Sequence, residues 1–101
     1  MIPIRYHRLA LGELFAASKR HERERPGRGI RIVTEFDRIV RRISTAPRQG
    51  SPYLFGTRRF IFRRFPYSTV YVSLDEYGHV IAVAHHSRKP GYWRRRLKDV
   101  R

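Results

Sequence analysis

At 101 residues the chain has the length of one domain, and a domain of that size buries roughly two-thirds of the surface its unfolded form exposes. It has no cysteine, which excludes disulfides, a thiol nucleophile and a thiolate metal site and suits a reducing compartment. Its 23 lysines and arginines against 8 carboxylates give a formal charge of +15, an imbalance that calls for an anionic partner: nucleic acid, ribosome, acidic protein or anionic membrane surface.

Residues 2–6 alternate apolar and polar and suit a short strand. Residues 9–25 read as a helix, with Leu11, Leu14, Phe15 and Ser18 at i, i+3, i+4, i+7 spacing. Pro26-Gly27 breaks it. A second helix over 29–46 carries a wide apolar stripe of Ile32, Val33, Phe36, Ile39, Val40 and Ile43, and Pro47 stops it. The short link implies an antiparallel helical hairpin. Residues 48–56 form a loop. Residues 57–64 alternate as a strand, with Phe60 and Phe62 on one face and Arg59, Ile61 and Arg63 on the other. A second strand over 67–74 opposes Ser68, Val70, Val72 and Leu74 to Tyr67, Thr69, Tyr71 and Ser73. A third, 79–85, is apolar on both faces and reads as central and covered twice, with His85 on the face of Ile81 and Val83, and His86 on that of Val80, Ala82 and Ala84. The expected architecture is α+β: an N-terminal helical hairpin packed on one face of a twisted antiparallel β-sheet, in a single domain spanning 1–101 with a basic tail from about 91. Phe36, Ile43, Phe62, Val70, Val72 and Val83 are the expected core.

The longest stretch free of charge, 77–87, is far short of the ~20 apolar residues that span a bilayer, and MIPIRYHR has no signal-peptide core. The expectation is a cytoplasmic protein that does not enter the membrane. His85-His86 cannot bind one metal ion together, because adjacent strand residues face opposite ways, so no metal site and no cofactor are assigned. Arg58, Arg59, Arg63 and Arg64 bracket one strand. They suit either a charged edge that resists aggregation or, through Arg59, Ile61 and Arg63, a mixed basic and apolar binding patch. Arg88, Lys89, Tyr92, Trp93, Arg94, Arg95 and Arg96 interleave cations with aromatics, as stacking on bases and phosphate neutralisation require. The same residues suit an acidic protein, or a Tyr92 and Trp93 folded back onto the sheet. No P-loop, GxGxxG, HExxH or nucleophile elbow is present.

The Phe65-Pro66-Tyr67 strand entry, the strand end Ala82-Val83-Ala84-His85 and the exit Arg88-Lys89-Pro90-Gly91-Tyr92-Trp93 stand in an order and spacing that resembles the C-terminal half of the RelE/ParE family of bacterial type II toxins, often labelled plasmid stabilisation proteins. The resemblance implies a toxin neutralised by a cognate antitoxin that wraps it with a flexible, acidic segment. Promoter DNA is then contacted indirectly, through the antitoxin. It also implies one of two targets. ParE-like members inhibit DNA gyrase and have no known catalytic residues. RelE-like members are metal-independent endoribonucleases that cut mRNA on the ribosome with sheet cations and a C-terminal tyrosine. Tyr92 matches that tyrosine, and Arg59 and Arg88 match part of the cationic set, but Ser68 and His86 fall where the nuclease has permanent charge. Arg59, His85, Arg88 and Tyr92 are the catalytic candidates of a nuclease. Arg59, Arg63, Arg64, Arg88, Tyr92, Trp93, Arg94 and Arg95 are the candidates for binding target or antitoxin. The substitutions at Ser68 and His86 favour the gyrase branch. A non-toxic, basic nucleic-acid-binding module is the third reading.

Overall fold

The structure, a computed structural model, describes residues 1–100. In chain order it comprises β1 (Ile4–Tyr6), α1 (Arg8–Glu24), α2 (Arg28–Thr45), β2 (Ser51–Pro52), β3 (Arg58–Ile61), β4 (Tyr67–Ser73), β5 (Gly78–His85) and a C-terminal 3-10 helix (Arg94–Asp99). His7 starts α1 by accepting the Leu9 N–H on Nδ1 at 3.2 Å. The hairpin link depends on Gly27, whose φ of 91° is open to glycine and strained for other residues. The Glu22 carboxylate holds the link by accepting the N–H groups of Gly27 at 3.0 Å and Gly29 at 3.1 Å.

The five strands form one sheet in the order β1-β5-β4-β3-β2. The meander β3-β4-β5 is antiparallel as expected, but β1 runs parallel to β5, so the sheet is mixed. Parallel pairing follows from the route of the chain: β1 enters α1 and the hairpin before returning to the sheet, instead of turning directly into its neighbour. β2 pairs with β3 inside the stretch expected to be a loop.

The α1–α2 hairpin covers one face. Its core contains Leu14, Ile32, Phe36, Ile39 and Ile43 from the helices, and Phe60, Phe62, Tyr67, Tyr71, Val80 and Val83 from the sheet side. The buried line of α1 is Ala10, Leu14, Ala17 and His21. That corrects the expected stripe: Phe15 is 61% exposed. The small side chains of Ala10 and Ala17 let the helix lie close to the sheet, which turns Phe15 outward.

The opposite face has its own core of Val70, Ile81, Ala82 and Trp93, flanked by Tyr53, Val72, Tyr92 and Leu97. The segment after residue 91 is therefore a second covering layer as well as a basic tail. Of the expected core, Phe36, Ile43, Phe62, Val70 and Val83 are buried, whereas Val72, near the end of β4, is half-buried.

Strict alternation fails on β5. Val70 pairs with Ala82 and Tyr71 with Val80, so Ile81 is an extra residue in the ladder. This bulge puts Val80 and Val83 on the helix face and Ile81 and Ala82 on the other. Ile81 therefore does not share a face with Val83 and His85, nor Val80 with Ala82. The expected strand over 57–64 also stops early, at Ile61. Phe62 N–H turns back to Tyr67 O at 2.9 Å, and buried Glu35 of α2 accepts the N–H groups of Arg63 and Arg64.

Candidate functional site

Where the end of β5 meets the C-terminal layer, a cleft of about 270 Å³ opens on the face away from the helices. Arg59 and Ile61 of β3 form one wall, and Arg88, Lys89 and Tyr92 the other, with Ser68, His85 and His86 between them. The four catalytic candidates, Arg59, His85, Arg88 and Tyr92, thus line a single cleft. Trp93 is 1% exposed and forms part of its floor, between Tyr53 at 6.0 Å and Phe55 at 6.1 Å between ring centroids. The Arg94 guanidinium lies 4.3 Å over Phe55, and Arg95 is exposed. Arg63 does not join Arg59 in one patch, although it shares a shallow groove with Ile61. With Arg64 it lines a separate groove against α2, because Glu35 redirects the backbone at the end of β3.

Most of the polar cleft residues are already engaged. The Arg59 guanidinium stacks 4.1 Å over the Tyr53 ring. His85 accepts the Ser87 N–H on Nδ1 at 3.0 Å and meets Tyr67 edge-on at 4.9 Å. Burial, then the Arg20 charge and the neighbouring histidines, holds its imidazole below the ordinary range. His85 is accordingly neutral at pH 7, with its proton on Nε2. Ser68 Oγ and His86 Nε2 lie 2.9 Å apart and share a hydrogen bond.

The organising residue, Glu13 of α1, was not identified in the sequence. β1 ends at Tyr6, so the outer edge of β5 beyond Val80 lacks a strand neighbour. Side chains cover it instead. Glu13 accepts the Val83 N–H at 3.0 Å, and Arg96 donates to Ile81 O at 3.1 Å. The same carboxylate takes both terminal nitrogens of Arg96, at 2.9 and 3.0 Å, and the Tyr92 hydroxyl at 2.6 Å. Arg88 approaches it at 3.5 Å and stacks 3.6 Å over the Tyr92 ring. Burial, then the bond to Glu13 and its charge, pushes the Tyr92 phenol far above the ordinary tyrosine range. Tyr92 is therefore a fixed neutral donor. The only sequence signal for Glu13 is an isolated acid in the first half of a helix that is otherwise apolar there. Ser68–His86 pairing was equally hidden, because the two residues lie 18 positions apart.

No group of three histidines, cysteines or carboxylates with metal-binding geometry occurs among the described residues, and none of their helices is long and apolar enough to cross a membrane. No protein-family model and no curated protein sequence matches the chain. Among solved structures, it is similar to a chain of the "Chromosomal ParDE TA system from P. aeruginosa", with a TM-score of 0.73 and 17% identity over 84% of this chain and 96% of that one. At that identity the likeness is one of fold: this chain has the α+β fold of a ParDE-system protein, the architecture that the resemblance to RelE/ParE toxins implies.

Proposed function

We propose that this chain is the toxin of a type II toxin–antitoxin pair, a growth inhibitor held in check by a cognate antitoxin, and that it acts on DNA gyrase. The shared fold with a ParDE-system chain supports the first part. The state of the cleft supports the second. Metal-independent cleavage of RNA needs a base for the ribose 2′-hydroxyl and fixed positive charge at the developing phosphorane. Tyr92 donates its proton to Glu13, Ser68 and His86 satisfy each other, and Arg88 is drawn toward a carboxylate. What remains is a rigid surface rimmed by Arg59, Arg88 and Lys89, suited to binding more than to proton transfer.

One observation favours a ribosome-dependent endoribonuclease as the second reading: Arg59, His85, Arg88 and Tyr92 converge on one cleft. Four measurements test the readings. Expression of the chain alone should arrest bacterial growth, and the neighbouring open reading frame should rescue it. Normal growth with abundant folded protein would point to a non-toxic binding module. Purified toxin should inhibit gyrase supercoiling or stabilise gyrase–DNA cleavage, without an RNA product. Codon-dependent mRNA cuts that require ribosomes and vanish in Tyr92→Phe would transfer the function to the nuclease reading. Association with an acidic antitoxin segment should slow clearly as salt rises.

A further inference from the structure

The cations of this chain divide into two populations. Most that touch the sheet already have partners: Arg96 and Arg88 have Glu13, Arg59 has Tyr53, Arg94 has Phe55, and Arg58 donates to Arg48 O and Gly50 O. A groove of about 410 Å³ between α2 and the β3–β4 turn is different. Arg31, Arg38, Arg63 and Arg64 line it, all exposed. None of the four side chains has an ion pair, a hydrogen bond or a ring contact among the described residues. The one carboxylate there, Glu35, is 5% exposed and is directed at the backbone N–H groups of Arg63 and Arg64, which fixes the turn and leaves the guanidiniums free. Arg42, which stacks 4.6 Å over Phe60 and donates to Gln49, adds a partnered cation in the adjoining groove beside Arg38 and Arg63. Arg31, Arg38 and Arg42 stand at i, i+7 and i+11, so the stripe runs about 16 Å along α2.

We propose that this α2 groove binds the phosphate backbone of duplex DNA. Four unpaired like charges around one groove repel one another until an anion enters. Ile30 is the one aliphatic side chain in the groove lining and is 70% exposed, and Phe65 is 6% exposed. The rest of the apolar wall is the stems of polar and charged side chains, so the groove lacks the aromatic and aliphatic pockets that hold a peptide's anchors. It also lacks an exposed aromatic ring on which the bases of a single strand could stack. Charge on a rigid helix with neither feature matches backbone contact, in which affinity follows the number of phosphates neutralised. The site is separate from the aromatic cleft, and the inference stands whether or not the chain is a toxin.

The test is fluorescence anisotropy of the isolated full chain with a labelled duplex of about 20 base pairs, at salt from about 50 to 200 mM. Arg31→Ala/Arg38→Ala/Arg63→Ala/Arg64→Ala should lower affinity at least about tenfold and flatten the log–log salt slope by about three to four, near 0.9 per lost phosphate contact. A control with the same change in net charge, Arg8→Ala/Arg23→Ala/Arg48→Ala/Lys98→Ala, should flatten it by less than about one. Thermal melts check folding, and the pairs Arg31→Ala/Arg38→Ala and Arg63→Ala/Arg64→Ala serve if the quadruple variant does not fold. Equal losses in patch and control variants would overturn the proposal, as would tighter binding of the single strand than of the duplex. Binding of a glutamate-rich peptide by a chain that ignores duplex DNA would also overturn it and assign the groove to an acidic protein.

Discussion

Glu13→Ala should be among the most damaging single changes in this chain. The carboxylate closes the free edge of β5 and neutralises Arg96. The Glu13 and Arg96 side chains are 16% and 13% exposed, so the pair is largely dry. Removing one partner of a buried pair costs about 3–5 kcal/mol, because the other is left charged and uncompensated. The stranded Val83 N–H adds about 1–3 kcal/mol. Arg88, at 3.5 Å and 53% exposed, adds little. These terms share one carboxylate and water can enter the gap, so the sum is not additive, and a net loss of about 3–4 kcal/mol is expected. Against a total stability of about 5–15 kcal/mol, that lowers Tm by about 12–25 °C. Urea denaturation should show a lower midpoint at constant slope. Arg96→Met and the double variant complete a cycle whose coupling should exceed about 1 kcal/mol. In Glu13→Gln the Tyr92 phenol should titrate closer to ordinary tyrosine, since both the charge and the hydrogen bond that raise it are weakened. A loss below about 1 kcal/mol for Glu13→Ala would refute the edge-closing role.

Other perturbations test the rest of the fold. His21, His79 and His85 all have imidazoles held below the ordinary value, first by burial. In the unfolded chain they protonate near pH 6.5, so stability should be full above about that pH and decline as pH falls through the lowered folded values. A urea midpoint unchanged between about pH 7 and 5 would contradict their burial as neutral rings. Gly91→Ala should cost about 1–3 kcal/mol, because φ is 82° and a Cβ would stand 2.9 Å from Phe55 Cε2; an unchanged melting temperature would show that this turn relaxes freely. Val70→Ala should cost about 2–3 kcal/mol and half-buried Val72→Ala about 1 kcal/mol, and equal costs would break the assignment of burial along β4.

Periodicity made the helices and the antiparallel meander legible, because both patterns are local. The apolar stripe of α2 and the alternation of β4 carry over directly to the structure. What stayed hidden depends on distant partners. The parallel pairing of β1 with β5 joins residues more than 70 positions apart. The bulge at Ile81 leaves no mark in a strand that is apolar on both faces. β3 ends at Ile61 because Phe62 N–H turns back to Tyr67 O and Glu35, on a helix far back in the chain, captures the N–H groups of Arg63 and Arg64. Trp93 within a run of arginines suits a surface platform and a buried anchor equally well; only the apolar second face of the sheet, which Trp93 covers, decides between them.

That second face alters what truncation can reveal. Trp93 is part of the cleft floor and also the largest fully buried side chain among the described residues. Deleting residues 93–101 would remove Trp93, Arg96, Leu97 and the Asp99 carboxylate that lies 2.7 Å from His7 Nε2 at the start of α1. A large-to-small change at a buried tryptophan alone costs about 3–5 kcal/mol, a large part of a small domain's stability. Loss of toxicity on deleting the tail would therefore measure unfolding as much as target binding. Tyr92→Ala has the same defect, since it removes a ring packed against the second core as well as a partner of Glu13. Function is better separated from folding at cations that line the cleft without closing the core. Lys89 is exposed and Arg59 stacks on Tyr53 from the rim. Lys89→Ala and Arg59→Ala should leave the urea midpoint close to the parent's, with a change in unfolding free energy within about 0.5 kcal/mol. If growth inhibition falls in these two variants while the midpoint holds, the cleft contacts the target. If inhibition survives both, the contact lies elsewhere, and the α2 groove is the next surface to test.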